Sequence, residues 1–139
     1  MTQLTLTNIV DWKNARAGRL PRSKVRSVQI EGLVDTGATM LVLPAGVCRK
    51  LGLGFERQRR KVRYADGRVA SVPWVSGVRI EILGREMTCD ALVEGARTTA
   101  LIGQIPLEGL DLVVDPKSRD VRVNPASPDA PLLDLLAAS

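Results

Sequence analysis

Short runs of alternating apolar and polar residues, each stopped by a turn signal, fill most of this chain and restrict it to a mostly-β fold. Leu4 to Val10 alternates and reads as a strand; Asn14 to Pro21 reads as a loop. Lys24 to Val34 reads as a long strand that enters the core at Leu33. Met40 to Leu43 is wholly apolar, as a buried strand is. Lys61 to Val72 divides into two alternating runs about Asp66-Gly67, a strong hairpin signal. Val75 to Leu83 pairs naturally with Glu86 to Val93 across Gly84, and Leu112 to Asp115 with Asp120 to Val123. Two stretches read as short helices. In one, Pro44 opens the helix, Val47, Cys48 and Leu51 share a face, and Gly52 closes it. The other is a turn or two over Pro106 to Leu110. Residues 1–124 are expected to form one domain, and the proline-rich segment 125–139 a tail whose apolar Leu132 to Leu136 needs a partner.

One stretch breaks the pattern. Leu33-Val34 runs into Asp35-Thr36-Gly37-Ala38-Thr39, and four apolar residues follow. An acid at the end of a buried strand is costly unless it is hydrogen-bonded or shares a proton.

Composition narrows the chemistry. The chain has no histidine, which removes Ser-His-Asp and Cys-His mechanisms and most catalytic zinc sites. Two cysteines, Cys48 and Cys89, are too few for a disulfide framework and read as buried thiols. Carboxylates are the best remaining candidates for acid–base work, with no metal or cofactor expected. The net charge of +5 gathers in Arg16 to Arg26 and Arg57 to Arg63. With only four aromatic residues to stack on bases, these runs read as solvated faces or a surface for an acidic partner. No nucleic acid and no membrane are expected as partners. The first residues lack the pattern of a signal peptide, so the expected location is cytoplasmic.

The acidic stretch resembles the active-site turn of the retropepsin-like aspartic peptidases, which reads apolar-apolar-Asp-Thr-Gly-Ala. Two further segments are similar to that family in the same order. Asp66-Gly67 stands where the family places the tip of a flap hairpin. Ala100-Leu101-Ile102-Gly103-Gln104, followed by a short helix, stands where it places its second apolar-apolar-Gly segment. The resemblance covers roughly Val25 to Val123 and is nearest to bacterial single-domain members. It implies a closed β-barrel of the acid-protease fold with one or two short helices, acting as a homodimer on polypeptide substrates.

The resemblance also implies roles. Asp35 supplies the carboxylate, Thr36 braces the paired turns across the dimer, and Gly37 offers its backbone to substrate. Ala38, Tyr64, Asp66, Gly67, Leu101 and Ile102 would line the substrate site, with Val69 a further pocket wall. The chain has one Asp-Thr-Gly, so two copies of Asp35 must meet on a two-fold axis. Ala38 replaces the serine common in pepsin-like enzymes, which implies activity extending toward neutral pH. Gln104 replaces the arginine that braces retroviral dimers. A non-catalytic binding module of the same fold, or an unrelated small basic barrel that binds nucleic acid, would satisfy parts of the pattern.

Overall fold

The structure, a computed structural model, describes residues 1–135. Six strands close into a barrel: β1 (Thr2–Asn8), β2 (Ser27–Val34), β7 (Ala100–Ile102), β3 (Leu41–Pro44), β6 (Arg85–Glu94) and β5 (Val69–Ile82), with β5 pairing back onto β1. β4 (Arg59–Arg63) pairs with β5 alone and stands outside the ring. β8 (Leu112–Val114) and β9 (Val121–Val123) form a separate hairpin. Three short α-helices, α1 (Ile9–Arg16), α2 (Ala45–Lys50) and α3 (Gln104–Gly109), and a single 3-10 turn at Arg22–Lys24 complete the described chain; the strand expected from Lys24 thus begins only at Ser27. The expected mostly-β barrel is therefore present. No helix among the described residues is long and apolar enough to cross a membrane.

Alternating residues of the staves fill the barrel. Leu4, Leu6, Leu41, Leu43, Val75, Val78, Ile80, Ile82, Ala91, Val93, Ala100 and Ile102 meet inside, and α2 and α3 seal it with Val47, Cys48 and Leu107. Both thiols are buried as expected, and burial pushes Cys48 up to about 11 and Cys89 up to about 12. Val75 and Val78 both face inward although they stand three positions apart. A bulge between them resets the alternation, Gly77 takes a φ of +78° there, and its N–H donates to Asp90 Oδ1 at 3.1 Å.

Three further local expectations need correction. The first strand ends at Asn8, not Val10, because the Asn8 side chain accepts the N–H of Asp11 and caps α1. Residues 14–16 of the expected loop thus belong to a helix. Asp11 then holds Arg26 through both carboxylate oxygens, at 2.8 and 3.0 Å, tying α1 to the entry of β2. Pro44 ends β3 in extended conformation, and the helix begins one residue later. Most consequentially, Leu33 does not enter the core: it is 46% exposed, and Gly32 and Val34 point toward the interior instead. Gly32 sets this parity. A Cβ there would come within 2.9 Å of Leu4 and 3.0 Å of Ile102, so β2 turns its glycine to the crowded inside.

The C-terminal segment is tied to the barrel by one buried cation. Arg85, 6% exposed, donates to the carbonyls of Leu110, Asp111 and Ser127 and lies 3.7 Å from the Asp111 carboxylate. Asp111 in turn accepts from the Ser127 hydroxyl, the Asn124 amide and the Leu132 N–H. Leu132, Leu133 and Leu135 are exposed; Leu136, the end of the expected apolar tail, lies outside the described residues.

The hydrogen bond from Ser127, then those from Asn124 and Leu132 and the Arg85 charge, hold the Asp111 carboxyl down at about 2, from an ordinary 3.8. A depressed folded-state pKa stabilises the fold above the unfolded value, and that contribution fades as pH falls through the folded one. Asp111→Asn should lower the urea midpoint at neutral pH, with the gap to wild type closing between about pH 4 and pH 2. A gap that stays constant down to pH 2 would show that the carboxylate charge is not what matters.

Candidate active site

The acidic turn lies where the chain leaves β2 and must step across the sheet. β3 is not the neighbour of β2; β7 lies between them, parallel to β2 and antiparallel to β3. Residues 35–40 bridge that gap, and β7 with the start of α3 holds them from below. Asp35 N–H donates to the Ile102 carbonyl at 3.0 Å. Gln104 and Ile105 N–H donate to the Ala38 and Thr39 carbonyls, each at 2.8 Å. Gly103 sits in the middle of this lacing. A Cβ on it would lie 2.4 Å from the Met40 carbonyl and 2.7 Å from that of Ala38. Those obstacles are backbone and cannot rotate away.

Above this floor the turn is exposed. Asp35 and Thr36 both face solvent in the single chain, where the sequence placed the acid at a buried strand end. The parity set by Gly32 aims Asp35 outward, and Thr36 already belongs to the turn beyond the strand. The Asp35 carboxylate is oriented by its own turn, with Oδ1 accepting the Gly37 N–H at 2.9 Å. A Cβ on Gly37 would press to 3.2 Å from the same oxygen, so the glycine keeps the approach to the acid open. The Gln104 side chain reaches back and donates to the Thr36 carbonyl at 3.0 Å. It therefore fixes the turn of its own chain.

The other expected site residues divide into two groups. Leu101 lies beside Leu33 in the parallel register of β2 and β7, on the same outward face. With Ile105, 44% exposed, these residues give the surface near Asp35 an apolar character. Ile102 is fully buried and supports the turn through its carbonyl. Tyr64, Asp66 and Gly67 lie on the hairpin of β4 and β5. There Gly67 N–H donates to the Tyr64 carbonyl at 2.9 Å, Tyr64 N–H to Arg68 at 2.8 Å, and Gly67 takes a φ of +86°. This is a type I turn closed by a left-handed glycine, a standard three-residue hairpin loop. Among the described residues no hydrogen bond or ion pair joins that loop to the Asp35 turn. Nothing in the sequence marks Gly103 and Gly32 as positioning residues, since a glycine beside an apolar run signals close approach without naming what approaches.

No three His, Cys, Asp or Glu side chains gather as a metal site among the described residues. What the arrangement offers is one exposed carboxylate on a braced backbone, flanked by apolar surface. Gly103→Ala should destabilise the fold by about 3 kcal/mol, the scale of overpacking in a rigid site. Its thermal midpoint, compared with that of Gly54→Ala, where nothing lies within 4 Å of the added carbon, checks this; equal midpoints would refute the crowding.

The family described as gag-polyprotein putative aspartyl protease matches residues 22–109, from before β2 to the end of α3. No curated protein matches the chain. The match spans well over half of the sequence and contains the acidic turn, the hairpin and the β7–α3 brace. The closed barrel with its few short helices is consistent with the retropepsin fold. On these grounds the chain belongs to the gag-polyprotein aspartyl protease family.

Proposed function

We propose that the protein is an aspartic endopeptidase that works as a homodimer, with the Asp35 carboxylates of two copies facing each other. The observation that carries this reading is the exposed, backbone-braced Asp35 turn beside the apolar residues Leu33, Leu101 and Ile105. One carboxylate cannot be at once the base and the acid that peptide hydrolysis requires, and this chain has a single such turn. Two carboxylates at hydrogen-bond distance share one proton, because adjacent negative charges repel. The ionised member takes a proton from a bound water, and the protonated member donates to the scissile carbonyl. The water attacks directly, and no acyl-enzyme forms.

The remaining roles are those that the family resemblance implies. Thr36 braces its counterpart across the axis, while Gly37 and Ala38 meet the substrate backbone. The hairpin bearing Tyr64, Asp66 and Gly67 closes over an extended peptide and excludes water. Leu101 and Val69 bound apolar side-chain pockets, and Ile102 supports them from beneath. Residues 1–124 carry this machinery, with 125–139 a tail.

Asp35→Asn should abolish cleavage of a diverse peptide library while sedimentation shows an unchanged dimer. Retained cleavage in that variant, or full activity in a strictly monomeric species, would reject the mechanism. Gln104→Ala removes one exposed hydrogen bond, worth about 1 kcal/mol or less to stability. It should lower kcat roughly tenfold by loosening the Thr36 carbonyl, with the melting temperature nearly unchanged. A fall in melting temperature with kcat intact would make Gln104 purely structural.

A further inference from the structure

The hairpin concentrates charge. Six of the chain's 20 Lys and Arg residues fall between 57 and 68, against Asp66 alone. The register of β4 sorts them. Arg60 points to one face, where its guanidinium lies 4.1 Å from the Trp74 ring centre and 3.5 Å from Asp90 Oδ2. Arg68 covers the Tyr64 ring at 4.3 Å. Arg59, Lys61 and Arg63 share the other face, are exposed, and take part in no ion pair among the described residues. Side chains on one face of a strand repeat at about 6.6 Å. This row of cations borders an edge: β4 ends the sheet, and no strand pairs with its outer side among the described residues.

An open strand edge accepts an added strand, whose side chains arrive with the same two-residue period. A second copy of β4 is a poor occupant, since it would set like charges opposite one another. Nucleic acid is also poorly served. Base stacking needs open aromatic faces, and here Arg60 lies over Trp74 and Arg68 over Tyr64. We propose that the edge of β4, with Arg59, Lys61 and Arg63, docks extended acidic polypeptide segments that carry Asp or Glu at alternate positions. Docking is a property of this surface alone; its use in choosing a substrate rests on the peptidase reading.

Two measurements keep these apart. Fluorescent peptides identical except for Glu, Gln or Lys at two alternate positions are bound to the Asp35→Asn protein, and their cleavage by wild type is followed separately. The Glu peptide should bind about tenfold more tightly than the Gln peptide at low salt, and added salt should shrink that advantage. Arg59→Gln/Lys61→Gln/Arg63→Gln should erase it, and Lys61→Glu should shift preference toward the Lys peptide. Equal binding of Glu and Gln peptides, or an undiminished advantage in the triple variant, overturns the proposal. So does a single-stranded oligonucleotide of equal charge that binds this face more tightly than the Glu peptide. Acidic peptides that bind but are never cleaved would leave the docking surface standing and sink the peptidase. Cleavage by wild type together with equal binding of the Glu and Gln peptides would do the reverse.

Discussion

Everything around the Asp35 turn depends on two stretches of backbone passing each other with no side chain between them. Gly103 lets β7 run directly beneath residues 38–40, and the hydrogen bonds of Asp35, Gln104 and Ile105 close across that contact. Any Cβ at this crossing would push the strands apart. The turn would then lose its floor, and the carboxylate its fixed direction. Such a crossing suits a site whose chemistry needs geometry held to a fraction of an ångström, because backbone contacts have few soft degrees of freedom.

The strands were legible in the sequence because alternation and turn residues mark them directly. The hairpins at Asp66-Gly67 and Gly84 and the one between β8 and β9 follow from those signals, as do β3 and β7 from short apolar runs. The helix α1 was not, although Asn8 stands three residues before Asp11, because the run from Leu4 to Val10 alternates well enough to look like strand throughout. The orientation of Leu33 is hidden for a related reason. Apolar character suggested burial, but the decisive residue was Gly32, whose lack of a side chain matters only once Leu4 and Ile102 are known to converge on it. The network of Arg85 and Asp111 was equally invisible, since residues 26 apart in sequence give no local sign of meeting.

The position of the acid was legible; its exposure was not. Sequence reading asks what a residue's neighbours along the chain are like, and those of Asp35 are apolar. Exposure depends on which face of the sheet the turn leaves, and that is settled by packing against the two neighbouring strands. The single chain thus presents an oriented carboxylate and an apolar surface together, a combination that makes most sense when something else completes it.

One strand belongs to two parts of the molecule. β5 runs for 14 residues, with the basic hairpin on its first half and the closed barrel on its second. Pairing passes from β4 to β6 between Pro73 and Trp74, and just beyond lies the bulge at Gly77, whose N–H is held by Asp90; the other oxygen of that carboxylate lies near Arg60 on β4. A single acid thus grips both the pivot and the arm. The pitch of the hairpin relative to the barrel is thus held at its root, like an oar steadied at the rowlock.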